Sequence, residues 1–197
     1  MHQKRLRAVF LDRDGVINRR RENDYVKRWE EFEFLPNARQ AVAELSAAGL
    51  LVFIVTNQRG IARKLYTHED LKKVHDRMLL ELLPAKVHGI SYCPHAETEG
   101  CGCRKPEPGM LLGVMEKYGL NPGECAIIGD SESDIQAGKA AKLGTTILVG
   151  KRREEYAGAV RPDFFCKDLL DASNLLLAKG KKTSKGTGSG VVGGKKK

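Results

Sequence analysis

Short apolar runs of strand type alternate with stretches of helical periodicity along most of this chain, and few architectures accept that alternation. The runs fall at residues 8–11, 50–55, 125–128 and 145–149, with 89–92 a weaker example and 164–166 a candidate sixth. The clearest are nearly continuous in Val, Ile, Leu, Phe and Ala, the pattern of strands buried on both faces of a parallel sheet. Between them Ala41, Val42, Leu45 and Ala48 recur at helical spacing, and so do Leu71, Val74, Met78 and Leu82. Residues 110–118, 131–143 and 168–178 complete the helical set. Pro36 stands near the first helix's start and Gly49 at its end. Thr67-His68-Glu69-Asp70 reads as a capping-box variant ahead of the second helix. Parallel strands joined by helices demand right-handed crossovers, so an α/β fold built on a doubly wound parallel sheet is expected.

Such sheets bind ligands outside the carboxyl ends of their strands, near the point where strand order reverses. Asp12, Thr56 and Asp130 each stand at such an end. At the first of them, Asp12-Arg13-Asp14-Gly15 places two carboxylates at i and i+2, with a glycine that lets the backbone turn away. Alone, this string is equally a polar turn. In company with Thr56, Lys105 and Asp130 it acquires a purpose, because phosphoryl transfer needs a nucleophile, a proton donor and positive charge around the transferring oxygens. On this reading Asp12 attacks phosphorus, and Asp14 protonates the leaving oxygen and later deprotonates water. Mg²⁺ sits among Asp12, Asp130 and the Asp14 carbonyl, while Thr56 and Lys105 hold phosphate oxygens. Asp134 either orients the metal water or Lys105, or is simply the third residue of a capping box led by Ser131.

A second cluster lies at Cys93, His95, Cys101 and Cys103. Three thiols and an imidazole within 11 residues suit a tetrahedral Zn²⁺, and four protein ligands close the site to catalysis, so the zinc is structural. It would fix the loop that carries Arg104 and Lys105. Cys125 and Cys166 lie in apolar runs and read as buried thiols. His68, His75 and His88 read as structural.

Composition adds boundaries. With 197 residues and 41% hydrophobic content, one core is expected, spanning residues 1–179. The formal charge of +9 owes six units to lysines in the last 18 residues, and without those six it is +3. That segment, 180–197, is rich in Gly, Ser and Thr and is expected to be a disordered tail. No apolar run is long enough to span a bilayer. The opening residues also lack the apolar region of a secretory signal, so a cytoplasmic, membrane-free location is expected. No aromatics accompany the tail lysines, which argues against nucleic acid as a partner.

The ordered set D-x-D-G, T-N, K-P and G-D-x-x-x-D resembles the haloacid dehalogenase superfamily over about residues 8–149. The resemblance implies a Mg²⁺-dependent phosphomonoester hydrolase working through an aspartyl-phosphate on Asp12. Within the superfamily, Thr56-Asn57-Gln58, Gly60-Ile61-Ala62, Cys93-Pro94-His95 and Cys103-Arg104-Lys105-Pro106 are similar to the histidinol-phosphatase-like branch. That branch includes enzymes acting on heptose 1,7-bisphosphate and on histidinol phosphate. Tyr25-Val26 and Phe32-Glu33-Phe34 are similar to the first loop of the heptose enzymes. The short zinc loop is closer to the histidinol-phosphate type. A small phosphorylated sugar is therefore the expected partner of a monomer, with histidinol phosphate the alternative. Asn57, Gln58, Arg63 and Arg104 are expected to bind substrate, Arg63 and Arg104 (with Arg59 and Lys64) by meeting a second phosphate. Where such phosphatases often carry Lys or Arg after the last aspartate motif, this chain has Ser131, so one phosphate-facing charge is either absent or supplied from elsewhere. No long insertion follows Gly15 or precedes Cys101, so no separate cap domain is expected. A receiver-like phosphoacceptor domain and a nucleic-acid end phosphatase are the rival readings. Receivers, however, place the acid pair and the phosphoacceptor on different strands.

Overall fold

A computed structural model of the chain describes residues 5–184, with side chains described through residue 179. The strands are β1 (Ala8–Leu11), β2 (Leu51–Asn57), β3 (Val87–Cys93), β4 (Cys125–Gly129), β5 (Thr145–Val149) and β6 (Phe164–Cys166). The helices are α1 (Ala38–Ala47), α2 (His68–Glu81), α3 (Gly109–Tyr118), α4 (Glu132–Ala140) and α5 (Leu169–Ser184). One six-stranded sheet forms in the order β3-β2-β1-β4-β5-β6, and every neighbouring pair is parallel.

β1 lies between β2 and β4, so strand order reverses where β1 meets β4. The two halves of the sheet are in register there, with Leu11 opposite both Ile54 and Ile128. The ladder continues one residue further, as Asp12 N–H donates to the Ile128 carbonyl at 2.9 Å. Asp12, Thr56 and Asp130 thus emerge side by side at one edge of the sheet.

The period of two along each strand divides the core between the two faces. Val9, Leu11, Val52, Ile54 and Ile128 pack against α1, α2 and α5 on one side. Ala8, Phe10, Phe53, Val55 and Ile127 pack against α3 and the Ala137/Ala141 edge of α4 on the other. All four residues of β1 are fully buried. The large side chains among them each contribute about 1.5–3 kcal/mol of apolar burial.

Some boundaries differ from the expected ones. β3 runs from Val87 to Cys93 because pairing with β2 carries it as far as Asn57↔Cys93. α4 stops at Ala140, whose next residue Ala141 caps the helix through Ala137 and Lys139 carbonyls. α5 continues through the expected domain boundary to Ser184. The rest of the expected tail, 185–197, lies outside the described residues. No described helix is long and apolar enough to cross a membrane.

The segment after β1 carries no long helix but is firmly attached. Trp29 stacks on Phe32 at 4.9 Å between ring centroids, and Phe34 meets Phe32 edge-on at 4.9 Å. Arg77 of α2 lies over Trp29 and Arg39 of α1 over Phe34. This aromatic anchor, with Val26 buried beneath it, presents Arg20–Tyr25 to the carboxyl edge of the sheet.

Candidate active site and metal centre

The carboxyl ends of β1, β2 and β4 border a cleft of about 460 Å³ lined by Asp12, Asp14, Thr56, Asn57 and Lys105. Gly15 makes the first turn possible. Its φ is +93°, and a β-carbon there would fall on the Asp130 carboxylate. Gly129 is equally constrained, because a β-carbon would run into Asp134. The two glycines therefore make room for the Asp130 and Asp134 carboxylates beside the turn that follows β1.

Lys105 is the hub of the charged network. Its ammonium donates to Asp12 Oδ1 at 2.8 Å, to Asp134 Oδ1 at 2.5 Å and to the Val55 carbonyl at 2.8 Å. Burial works against its charge, but Asp12 and Asp134 outweigh it and hold the ammonium protonated above its ordinary range. Asp12 is pushed up to about 7, first by burial and then by Asp134, Asp130 and Asp14, with Lys105 opposing. Asp130 rises to about 6 for similar reasons, with Arg20 and Lys105 opposing. A dense group of carboxylates shifted in this way is a site that gains from a cation.

Asp134 fulfils both roles left open by its sequence position. One oxygen holds Lys105, and the other accepts from Ser131 N–H at 3.1 Å and from the Ser131 hydroxyl at 2.5 Å. It is fully buried. Asp14 accepts two bonds from Arg13 and one each from Asn18 and Gln58, at 2.9–3.0 Å. Burial raises its pKa, but the Arg13 charge and these donors prevail and hold it below the usual carboxylate range.

Two expected substrate contacts have their amides engaged by internal hydrogen bonds. Gln58 is buried, its amide donating to Asp14 and Thr56 and its carbonyl accepting from the Tyr66 hydroxyl at 2.6 Å. It positions the site and does not reach into the cleft. Asn57 borders the cleft, but its amide clasps the Lys105 backbone, donating to the carbonyl at 3.0 Å and accepting the N–H at 3.1 Å. Arg63 and Arg104 both line the cleft. Arg104 is tied to Glu97 at 2.8 Å, and so is Arg59 at 2.6 Å. The Arg63 side chain makes no hydrogen bond or ion pair among the described residues.

Three functional neighbours gave no sign in the sequence. Arg13 is almost fully buried and links Asp14 to His75, its Nη1 lying 3.0 Å from His75 Nε2. Arg20 donates to Asp130 Oδ1 at 2.7 Å. Glu97 joins the two arginines just named. Each depends on a partner 7 to 110 residues away. Only periodicity on α2, which turns His75 inward, could have hinted at one of them.

His75 accepts from Arg13 as a neutral imidazole, and burial followed by the Arg13 charge lowers its pKa to about 3. The unfolded chain binds a proton near 6.5, so between those values unfolding takes up a proton and stability falls as pH drops. His75→Gln keeps an acceptor for Arg13 but cannot titrate. Between pH 6.5 and 5 the variant should therefore lose less stability than wild type, by about 2 kcal/mol. Urea unfolding at both pH values measures this, and equal losses would refute the neutral, buried state.

The Cys93, His95, Cys101 and Cys103 ligand atoms all lie within 4.8 Å of one another. Sulfur–sulfur separations are 3.2–3.5 Å, and His95 Nδ1 lies 3.3 Å from Cys103 and 3.5 Å from Cys93. These are far beyond a disulfide, and all the cysteines are free. They approach the edges of a tetrahedron around a cation with metal–sulfur bonds of about 2.3 Å. The four side chains fit a closed metal centre.

Comparison with known proteins agrees with this arrangement. A family model described as HAD-hydrolase-like matches residues 102–172. A D-glycero-alpha-D-manno-heptose-1,7-bisphosphate 7-phosphatase of Campylobacter jejuni is 44% identical over 151 residues, covering 76% of this chain and 86% of the relative. The D-glycero-beta-D-manno-heptose-1,7-bisphosphate 7-phosphatase of Pasteurella multocida is 37% identical, covering 76% of this chain and 90% of the relative. Among solved structures, the D,D-heptose 1,7-bisphosphate phosphatase of B. bronchiseptica, complexed with magnesium and phosphate, superposes with a TM-score of 0.82. It is 34% identical, and the match covers 88% of this chain and 99% of that one.

Proposed function

The chain belongs to the HAD-like phosphatases, among the D-glycero-D-manno-heptose-1,7-bisphosphate 7-phosphatases, and from that membership we propose that it removes the 7-phosphate of heptose 1,7-bisphosphate. The observation that carries this reading is the convergence of Asp12, Asp14, Thr56 and Lys105 on one cleft whose rim is arginine-rich, with an Asp130 carboxylate oxygen within 4.8 Å of one from Asp12. Asp12 attacks phosphorus, the ester P–O bond breaks, and the leaving oxygen takes a proton from Asp14. Water then attacks the aspartyl-phosphate, returns a proton to Asp14 and frees Asp12 and orthophosphate. Asp14 serves as the acid by turning from Arg13 toward the cleft, which removes the bonds that hold its pKa down. Asp12, Asp130 and the Asp14 carbonyl fit a hard, oxygen-preferring cation, and Mg²⁺ bound there would neutralise charge on the transferring phosphate. The Thr56 hydroxyl borders the cleft for a phosphate oxygen, and Lys105, whose three N–H groups are held by Asp12, Asp134 and the Val55 carbonyl, would reach one by exchanging its bond to Asp12.

The rim supports a bisphosphate over histidinol phosphate. A second dianion needs cations, and Arg21, Arg59, Arg63 and Arg104 border the cleft. The amine of histidinol phosphate would need a free carboxylate instead. The nearby acids are occupied, Asp24 by Lys27 and Glu97 by Arg59 and Arg104. We expect kcat/KM for the bisphosphate to exceed that for histidinol phosphate at least tenfold, about 1.4 kcal/mol. Assaying both anomers beside histidinol phosphate decides it, and a tenfold preference the other way would overturn the reading. Arg63→Ala should raise KM for the bisphosphate severalfold and leave a simple monophosphate ester nearly unaffected, since Arg63 meets only the second phosphate.

The thiolate cluster is read as a structural Zn²⁺ site, supported by its spacing and donor set. Protein purified without added metal should contain about one zinc per chain by elemental analysis. Cys101→Ser should lower zinc content, thermal stability and phosphate affinity together, because Arg104 and Lys105 follow directly on the ligands. Zinc-free protein of full stability and activity would refute the assignment.

A further inference from the structure

Arg20 holds an unusual position. Its Nη2 lies 2.7 Å from Asp130 Oδ1, 3.2 Å from the Asp14 carbonyl and 4.0 Å from Asp12 Oδ2. These belong to the same three residues assigned above to the divalent cation. Among the described residues Arg20 is the one cation paired with Asp130, and it borders the same cleft as Asp12 and Thr56. Its side chain is 52% exposed, so water can receive it when it leaves. No residue beside Asp130 duplicates its charge. Ser131 follows directly, and its hydroxyl is committed to Asp134 and Ser133.

We propose that Arg20 is an internal counter-ion of the cation cage, occupying it until a divalent cation enters and then turning into the cleft to hold the transferring phosphate. A guanidinium and a dication cannot both sit among the same carboxylates, because like charges at contact distance repel and the oxygens have few lone pairs facing the cleft. The cation, with higher charge and smaller radius, takes the cage. The displaced guanidinium stays tethered to the loop anchored by Trp29, Phe32 and Phe34 and lies within reach of an anion on Asp12. Arg20 therefore supplies the phosphate-facing charge that Ser131 lacks. Its fork of N–H groups suits two phosphate oxygens at once.

The proposal rests on the phosphatase reading and predicts two effects of opposite sign for Arg20→Ala. In zinc-replete protein without phosphate, Mn²⁺ should bind about three- to tenfold more tightly to the variant than to wild type, measured by loss of the free-ion signal in electron paramagnetic resonance. Mn²⁺ binds N/S sites weakly and leaves the zinc cluster alone. With Mn²⁺ saturating, inorganic phosphate should bind the variant about tenfold more weakly in equilibrium dialysis. Arg20→Lys should retain part of both effects, which separates lost charge from altered loop folding. Unchanged or weaker Mn²⁺ binding in Arg20→Ala would overturn the counter-ion role. Unchanged phosphate binding would overturn the phosphate role. Wild-type protein that takes up no Mn²⁺, or whose uptake survives Asp130→Asn, would remove the cation-site reading itself, an outcome distinct from failure of the arginine.

Discussion

Asp12→Asn should reduce turnover by about a thousandfold or more at saturating substrate and Mg²⁺. The amide preserves the shape of the side chain and can still accept from Lys105, so the fold and the cleft should persist. What is lost is the charge proposed to attack phosphorus. The carboxylate stands at the end of a fully buried strand, fixed by its own N–H on the β4 ladder and by Lys105 on one oxygen. No other carboxylate can substitute from that place: Asp14 is held by Arg13, Asp130 by Arg20, and Asp134 is spent on Lys105 and Ser131. Stopped phosphate-release assays, with mass spectrometry to exclude deamidation, measure the effect. Activity within tenfold of wild type would displace Asp12 as nucleophile.

Lys105→Met should damage both stability and chemistry, and the two can be separated. The ammonium has three acceptors, two of them buried carboxylates 2.5 and 2.8 Å away. Removing it leaves Asp134, fully buried, without its counter-charge, a change that typically costs about 3–5 kcal/mol. Asp12 loses the strongest influence opposing its upward shift and becomes harder to ionise. We expect kcat to fall at least about a hundredfold and the unfolding midpoint to drop by several degrees. Adding Asp134→Asn removes the stranded charge. The double variant should recover much of the stability but none of the rate. Recovery of both would mean that Lys105 acts only through folding.

Much of this was legible without a structure because it is written in local terms. Strand-type runs, helical periodicity and the capping box at Thr67 depend on residues within a few positions of one another, and the capping box forms as expected. The aspartates proposed as catalytic could be located because a parallel sheet places functional groups at strand ends, which is a rule about topology and needs no contact map. The Cys/His cluster was legible because its four members lie within 11 residues of one another.

What the sequence determined by itself is thus the sheet, the strand ends that bear Asp12, Thr56 and Asp130, and the cysteine cluster. The tertiary structure alone decided which charges meet. Gln58 was expected at the substrate but turned inward, because Tyr66, Thr56 and Asp14 satisfy its amide in the protein interior. Arg59 and Arg104 were expected free and are bridged by Glu97. Arg13 finds His75 from 62 positions away and Arg20 finds Asp130 from 110. Side-chain charge has no periodicity. An arginine in a loop pairs with whichever acid the folded backbone brings within reach, and that distance exists only once β1 and β4 lie side by side.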